Sequence, residues 1–356
     1  MKFWDFNSVD FDKIGHPSQL AGMRRYEFAE GKAKGVEAVE VRTAAGLELT
    51  VLPGRGMDIA WVSYRGIPLS YMSKTGVVSP TYYESFGMNW LHSFFAGALT
   101  TCGLLNVGGP EKIHHPVIGE REYGLHGRIS NCAAEQVSLY EEQEGDAYVM
   151  RVSGMVREGT LHGEALTLRR EISTHLGAKE FTLRDTVTNR SGTAQEIMLL
   201  YHINIGYPLL NAGARLVSNT LGIEPADELA AADVDRAFVF EEPTAGTAER
   251  CFAHDMKTDA DGTVKLAFIN DALELGVALE YNKNELPLFN EWKMMSTKEY
   301  VVGLEPCTAL PRGYSDAKAR GTLQTLAAGE SRTFEVTYKI LDGNEEIARY
   351  EQEVMG

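Results

Sequence analysis

Glu305 is the residue of this sequence whose setting most clearly calls for a chemical explanation. It follows the strand-forming run YVVGL and is followed at once by Pro306, which cannot continue a strand. The carboxylate therefore stands where regular structure ends, and it is either solvated at the surface or used in a site. Because the ordinary pKa of a glutamate is about 4.3, Glu305 would act as a base at neutral pH.

Two histidine-containing segments could supply the matching acid. In YGLHGRISN, glycines flank the pair of residues that contains His126, which predicts a loop that brings the imidazole close to Arg128. In LLYHINIGYPLL, His202 and Asn204 share one face of a predicted strand. A histidine, with an ordinary pKa of about 6.5, can act as acid or base, so together with Glu305 it could move a proton through a hemiacetal. A lone histidine is usually structural, and that alternative stays open.

Two segments nearer the N-terminus carry groups that could contact a substrate. Glycines on both sides of Arg55 allow a sharp turn that presents its guanidinium outward, with Asp58 three residues later. A surface hairpin with an Arg–Asp pair is the alternative. Trp90 and His92 belong to an aromatic cluster, and an aromatic group is a natural platform for the apolar face of a sugar ring. Such a cluster is also common in a protein core.

The composition argues against several classes of partner. The chain has 356 residues and a formal net charge of −16, so nucleic acid and anionic membrane surfaces would be repelled, and a neutral small molecule is favoured. Charged residues interrupt the N-terminal segment MKFWDFNSVDFDKIG, and no apolar run reaches the roughly 18 residues that span a bilayer. We therefore expect a cytoplasmic protein with no membrane partner. The 4 cysteines include no CxxC pair, which predicts free thiols.

Short segments of alternating apolar and polar residues dominate the chain. In EFTLRDTVTN, for example, Phe181, Leu183 and Val187 are separated by even intervals, so one face of a strand can be buried and the other solvated. Such spacing favours antiparallel sheet. Helical periodicity is weak, and short helices are predicted only near residues 80–95 and 225–235.

No sequence feature divides the chain into separate units. It contains no GxGxxG after a strand, no P-loop, no heptad run, no convincing internal repeat and no Ser/Gly/Pro-rich linker. We therefore predict an all-β fold in which residues 1–356 form a single domain. That domain would be a large antiparallel β-sandwich with insertions around residues 76–124 and 211–260.

Three motifs resemble those of a known superfamily. The run LPLFNEWKMMSTKEYVVGLEPCT, residues 286–308, resembles the C-terminal signature of the aldose 1-epimerase, or galactose mutarotase-like, superfamily. The segments YGLHGRISN and LLYHINIGYPLL are similar to its first and second histidine motifs, and all three occur in the same chain order. The N-terminal part, with GRGMDIAWVSYRGIPL and AGALTTCGLLNVGGP, most resembles a divergent branch known only as a domain of unknown function.

The resemblance implies a galactose mutarotase-like β-supersandwich with few short helices and a concave face that holds a sugar. It implies that Glu305 takes the proton from the anomeric hydroxyl and that His202 protonates the ring oxygen. His126 would hold and polarise the substrate, with Arg128 or Arg55 as a further contact. The ring would open to the free aldehyde and close again from the other face, and no cofactor would be needed.

Further side chains are expected to bind the substrate: Arg55, Asp58, Trp90, His92, Arg128, Asn204, Trp292 and Lys293. Trp292 could stack on the sugar ring, whereas Lys293 could equally form a salt bridge. Simple mutarotases carry a longer asparagine–arginine loop where this chain has GRGMDIAWV, so the contribution of Arg55 stays open. The expected partner is a small-molecule sugar, phosphorylated or not, and a homodimer is allowed.

Two other functions fit the same residues. A non-catalytic carbohydrate-binding or sensor protein would keep the cleft without turnover, although retention of both His202 and Glu305 argues against it. A metal-assisted sugar isomerase or epimerase could use His126, His202 and Glu305 as ligands, since His and Glu bind zinc or manganese. We expect no bound metal. Metal analysis of the purified protein would distinguish the metal-assisted enzyme from the cofactor-independent isomerase.

Overall fold

The computed structural model describes residues 10–115, 119–145 and 147–356. The sequence predicts no signal peptide in the N-terminal segment. Most of that segment lies outside the described residues. Strands are the dominant elements of the described chain, and the pairings between them are antiparallel apart from one isolated bridge. The predicted all-β fold class is confirmed.

The first sheet is built from strands that follow one another along the chain. Val39 faces Val51 and Val41 faces Leu49 across its second and third strands, so alternate apolar residues cover one buried face. Each strand pairs with its neighbour in sequence. The bounds are β1 Gly22–Glu27, β2 Glu37–Arg42, β3 Leu47–Leu52, β4 Asp58–Tyr64 and β5 Ile67–Pro68.

A less regular region follows, with strands β6 Tyr71–Met72, β7 Ala96–Gly97, β8 Thr100–Leu104, β9 Glu111–His115 and β10 Gly119–Tyr123. The short helix predicted near residues 80–95 is present only as two 3₁₀ turns, Pro80–Tyr82 and Asn89–His92, and not as one continuous helix. Between them, the backbone bonds to other segments, as when the Gly87 N–H donates to Glu122 at 2.8 Å. Those bonds replace the i to i−4 ladder that an α-helix requires.

Two large sheets form the sandwich. One has the order β11-β12-β13-β14-β24-β20-β19-β16. The other has the order β17-β18-β21-β22-β15-β23, and β8 also pairs with β15. The bounds are β11 Ala134–Glu144, β12 Ala147–Gly159, β13 Ala165–His175, β14 Glu180–Asn189, β15 Gln195–Gly206, β16 Arg215–Ser218, β17 Thr220–Pro225, β18 Arg250–Met256, β19 Thr263–Asn270, β20 Leu275–Asn282, β21 Leu288–Ser296, β22 Glu299–Cys307, β23 Gln324–Leu326 and β24 Ser331–Asp342.

The helices are α1 Glu228–Ala231, α2 Tyr314–Ala319 and α3 Asn344–Met355. The helix predicted near residues 225–235 corresponds to α1 and a following 3₁₀ turn, Val234–Arg236. Helix α3 was not predicted, although Ile347, Tyr350 and Val354 recur at a helical spacing and are buried against the eight-stranded sheet. In the part of the chain that the structure describes, no helix is both long and apolar enough to cross a bilayer.

One hydrophobic cluster contains residues from all three main sheets, including Leu49, Leu168 and Leu304. The strand pairings and this shared core agree with the predicted sandwich. The assignment of residues 1–356 to a single domain stays a prediction.

A buried guanidinium also joins the three sheets, and we call it, with its partners, the Arg170 node. Arg170 on β13 donates two hydrogen bonds to Asp185 on β14, at 2.8 and 2.6 Å. It also donates to Asp58 on β4 at 3.0 Å and to Thr101 on β8 at 2.8 Å. Tyr201 on β15 donates its hydroxyl to Asp185 at 2.8 Å. The node therefore fixes the positions of strands from each sheet relative to one another.

Replacing this guanidinium should destabilise the whole fold. Arg170→Met would leave Asp58 and Asp185 buried without their cation, so we expect a loss of about 3–5 kcal/mol in the free energy of unfolding. As a control, Arg184→Met removes a side chain that is 63% exposed and lies 3.6 Å from Glu335, and should cost less than about 1 kcal/mol. Urea unfolding measures both. Equal losses in the two variants would show that the node does not carry this stability.

Candidate active site

A pocket of about 390 Å³ lies on one face of the seven-stranded sheet and contains the predicted catalytic residues. Its lining includes His126, His202 and Glu305, together with Trp90 and Trp292. A larger hollow of about 600 Å³ is lined by residues of β17 and β18 and holds none of these five side chains. The smaller pocket is therefore the site in which Glu305 and the two histidines converge.

Glu305 and His202 come from neighbouring strands, β22 and β15. The pairing of Leu304 with Ile203 sets the register that places the two side chains beside each other on the same face. Nε2 of His202 lies 3.1 Å from Oε1 of Glu305, and both residues are buried. Oε1 of Glu305 nevertheless has no hydrogen-bond partner, so this oxygen is free to bind a ligand hydroxyl.

A glycine makes room for the Glu305 carboxylate. Gly303 stands two residues before Glu305 on the same strand face and pairs with Trp292 across the ladder. A Cβ added at Gly303 would lie 2.6 Å from Oε1 of Glu305 and 3.1 Å from Cβ of Trp292. Both side chains therefore occupy space that any other residue at position 303 would fill.

Asn290 holds the other carboxylate oxygen of Glu305. It faces Glu305 directly in the β21–β22 register, and its Nδ2 donates to Oε2 at 2.6 Å. Asn290 was not predicted from the sequence. Its position two residues before Trp292 on the same strand face was the signal that could have found it.

Burial moves the pKa values of the two central groups in opposite directions. It raises the pKa of the Glu305 carboxyl to about 8, against the lowering effect of the Asn290 hydrogen bond. Burial also lowers the pKa of the His202 imidazole to about 3, and the neighbouring His126 adds to this effect. Over the intervening pH range the pair holds one proton and carries no net charge.

His126 sits in a loop that is bonded tightly to its neighbours. Its φ of 55° lies in the left-handed region, and its backbone N–H donates to the carbonyl of Gly108 at 2.9 Å. The Gly108 N–H in turn donates to Nδ1 of the ring at 3.3 Å. Because Nδ1 accepts, the neutral ring carries its proton on Nε2. Burial lowers the pKa of His126 to about 4, so the ring is a neutral donor at pH 7.

Aromatic rings form the walls around the polar centre of the pocket. Trp90 stacks on Phe94 with ring centres 4.4 Å apart, and Phe94 lies 5.1 Å from the His202 ring. Trp292 packs edge-on to His202 at 5.1 Å, and its Nε1 donates to Glu249 at 2.8 Å. These contacts give a pocket with apolar ring faces beside a polar centre, which suits a sugar.

The pocket rim carries charged residues that the sequence analysis did not select. Asp227 and Glu249 are exposed acids of the pocket lining, both in the region that was predicted only as an insertion. Arg312 also lines the pocket, and its guanidinium is engaged by Glu224 at 2.7 Å. Nothing in their local sequence pattern indicated a site, because they reach it through loops.

Arg55 and Asp58 do not line the pocket, which corrects their prediction as substrate-binding residues. Both are fully buried. Asp58 belongs to the Arg170 node. Arg55 donates hydrogen bonds to three backbone carbonyls, those of Val78, Ser93 and Ser130. The turn between the glycines thus directs the guanidinium into the protein, where it joins separate segments of chain.

His92 and Arg128 are also outside the pocket lining. His92 is exposed at the end of its 3₁₀ turn. The guanidinium of Arg128 lies between Glu158 and Glu164, at 3.4 Å from each, so its charge is already matched. The sequence placed these two near the right segments but could not show which way their side chains turn.

Asn204 and Lys293 do not line the pocket. The Asn204 amide donates to the backbone carbonyl of His202 at 2.8 Å. Lys293 points to the face opposite Trp292, as adjacent strand residues must, and its Nζ donates to the Arg236 carbonyl at 2.8 Å. Of the predicted set, the pocket brings together Glu305, His202, His126, Trp90 and Trp292.

Metal ligation was the alternative use of the central residues. Within residues 10–115, 119–145 and 147–356, no three or more His, Cys, Asp or Glu side chains are grouped so that they could hold a metal ion.

Comparisons with known proteins agree with this fold. The family model of DUF4432, a domain of unknown function, matches residues 33–340. No curated protein matches the chain. A protein from Klebsiella pneumoniae subsp. pneumoniae MGH 78578, proposed to be an aldose 1-epimerase, has a similar structure with a TM-score of 0.87. It is 25% identical, over 94% of this chain and 88% of that one.

Two more distant structures share the fold alone. A galactose mutarotase-like protein from Clostridium acetobutylicum has a TM-score of 0.60 at 13% identity, over 91% of this chain and 99% of that one. Galactose 1-epimerase from Lactobacillus acidophilus NCFM has a TM-score of 0.58 at 12% identity, over 91% of this chain and 100% of that one.

Adding a methyl group at Gly303 should displace the Glu305 carboxylate without unfolding the protein. In Gly303→Ala the new Cβ would lie 2.6 Å from Oε1, and the flexible end of Glu305 is the atom group free to move. We expect a crystal structure of the variant to show the carboxylate turned away from His202. Gly222→Ala is the control, because its Cβ would meet no atom within 4 Å. An unchanged Glu305 in the first variant would contradict the steric account.

Proposed function

We propose that this chain, which belongs to the DUF4432 family and folds like the galactose mutarotases, is an aldose 1-epimerase that interconverts the anomers of a sugar. The observation that carries the proposal is the contact between Glu305 and His202. Two groups that exchange one proton, buried between aromatic walls, are what ring opening of a hemiacetal requires. The expected partner is a small-molecule sugar.

Ring opening would use the two groups as base and acid. Glu305 takes the proton from the anomeric hydroxyl, the O1–H electrons form the second C1–O1 bond of the aldehyde carbonyl, and the electrons of the bond from C1 to the ring oxygen stay on that oxygen as the bond breaks. His202 gives its proton to that ring oxygen. Rotation about C1–C2 presents the other face of the aldehyde, and closure returns both protons. Each step conserves atoms and charge, and the reaction needs no oxidant or reductant.

The reaction cycle conserves the single proton that the Glu305–His202 pair holds. Ring opening begins with the proton on His202 and ends with it on Glu305, and ring closure reverses the exchange. The pair therefore keeps the same number of protons throughout. Burial disfavours both separate charges and favours the state with the proton on Glu305, while the 3.1 Å contact stabilises the ion-paired state. Ring opening therefore starts from the minor, ion-paired state, in which the proton has moved from Glu305 to His202.

The remaining pocket residues would hold the sugar in place. The Nε2–H of His126 is available to donate to a sugar oxygen, and it is neutral at pH 7. Trp90 and Trp292 can pack on the C–H faces of the ring, and their bulk excludes water from the proton-transfer groups. Fixing the hydroxyl and the ring oxygen relative to the pair supplies much of the rate enhancement.

Removing either proton-transfer group should slow anomer exchange strongly. We expect Glu305→Gln and His202→Ala each to lower turnover by roughly 10²–10⁴-fold, the usual contribution of general acid–base catalysis. The matched control is Glu291→Gln. Glu291 is buried and contacts His254 at 3.1 Å, a similar pair that lies outside the pocket, so this variant should keep its activity.

NMR saturation transfer between anomeric protons, across a panel of aldoses and aldose phosphates, measures this exchange with and without EDTA. Acceleration that survives EDTA and is lost in Glu305→Gln supports the proposal. Loss of activity on chelation would instead favour the metal-assisted isomerase. Binding of sugars without any acceleration would favour a carbohydrate-binding protein.

The pH dependence of turnover should reflect the shared proton. Activity requires one proton on the pair, so kcat/KM should stay level through neutral pH and fall above about pH 8, where Glu305 loses its proton while His202 is already neutral. If both groups had ordinary pKa values, the fall in kcat/KM would come at about pH 6.5 instead.

Asn290→Ala removes a hydrogen bond that lowers the pKa of Glu305, so the alkaline limb of the kcat/KM profile of this variant should move to higher pH. An unmoved limb would contradict the assignment.

A further inference from the structure

Large apolar side chains are exposed beside the pocket entrance. In residues 82–91, which we call the mouth segment, Phe86 is 63% exposed, Met88 53% and Leu91 47%. Soluble proteins rarely leave neighbouring large apolar side chains uncovered without a use for them. The mouth segment is therefore a candidate binding surface.

The mouth segment is held rigidly. The Gly87 N–H donates to Glu122 at 2.8 Å, and the Gly87 carbonyl accepts from the Leu125 N–H at 3.0 Å. Tyr83 donates its hydroxyl to the Gly127 carbonyl at 2.9 Å. These bonds join the segment to the loop that carries His126. A ligand on this surface would therefore not have to order a mobile loop, which lowers the entropic cost of binding.

The apolar surface continues into the pocket. Met88 and Leu91 are exposed to solvent and also line the cavity, next to the buried Trp90. A molecule that fills the pocket and extends outward would pass directly onto these side chains. The surface thus belongs to the same site and is placed where a substituent of the substrate would leave the cavity.

The chemistry of both parts fits a second sugar ring. The C–H face of a pyranose packs on apolar and aromatic side chains, while its hydroxyl groups need polar partners. Asp227 and Glu249 supply exposed carboxylate acceptors in the lining of the same pocket. Because both are acidic, and Glu224 already pairs with the guanidinium of Arg312 in the same lining, an uncharged saccharide is favoured over a phosphorylated or acidic one.

We propose that the substrate is an uncharged reducing disaccharide or longer oligosaccharide whose reducing unit enters the pocket and whose next unit lies on the mouth segment. This inference rests on the proposed function, because anomer exchange requires a free anomeric hydroxyl on the unit inside the pocket. The second unit must then be linked through another carbon of that ring. The exposed apolar side chains of the mouth segment, Phe86, Met88 and Leu91, give this second unit its contact.

The test compares monosaccharides with the reducing disaccharides maltose, cellobiose and lactose. We expect wild-type protein to show a higher kcat/KM for at least one disaccharide than for its reducing monosaccharide. Phe86→Ser, which does not alter the pocket lining, should remove about fivefold of that kcat/KM, equivalent to about 1 kcal/mol, and leave monosaccharide turnover unchanged. Leu161→Ser is the control, since Leu161 is 81% exposed and outside the pocket lining.

The outcomes separate this inference from the proposed function. Monosaccharide turnover with no preference for disaccharides, and no effect of Phe86→Ser, would overturn the inference and leave the epimerase intact. If no sugar is turned over, the proposed epimerase function is wrong, and binding measured by calorimetry tests the inference on its own. Tighter binding of a disaccharide that Phe86→Ser weakens supports the inference. Equal or absent binding overturns it. Self-association that Phe86→Ser abolishes, seen by analytical ultracentrifugation, would assign the surface to a second copy of the chain and also overturn it.

Discussion

The bidentate ion pair between Arg170 and Asp185 is the interaction on which the geometry of the site depends. Through Asp58 and Thr101 the same guanidinium reaches the five-stranded sheet and β8, and through Asp185 it is linked to Tyr201 on β15. Tyr201 faces this buried node, and the next residue on the strand is His202, which faces the pocket. The position of the His202 imidazole is therefore tied to this buried network.

Burial is the physical cause of both stability and proposed chemistry in this protein. The packing of β15 against β22 removes water from Glu305 and His202 together, which raises one pKa and lowers the other. With ordinary pKa values the carboxyl would be ionised and the imidazole mostly neutral at pH 7, whereas this buried pair keeps one proton, on Glu305. The absence of a side chain at Gly303 and the amide of Asn290 then fix the orientation of the carboxylate.

The sequence predicted the fold class and five of the pocket residues because strand alternation and local motifs carry that information. It could not show that Arg55 turns inward or that Asp58 meets Arg170, since that partner lies 112 residues later in the chain. Asn290 was missed because only the β21–β22 register brings it to Glu305. Strand alternation alone could have excluded Lys293 from the pocket, because it is adjacent to Trp292 in the strand. The spacing of Ile347, Tyr350 and Val354 could have predicted α3.

The measurement that tests the central claim most directly is an NMR titration of the pair, with ¹³C-labelled glutamate carboxyls and ¹⁵N-labelled imidazoles assigned through Glu305→Gln and His202→Ala. The account predicts that the Glu305 carboxyl titrates near pH 8 and that His202 stays neutral down to about pH 3. If the carboxyl ionises at about pH 4.3 and the imidazole titrates at about pH 6.5, water reaches both groups, and the shared-proton mechanism is wrong.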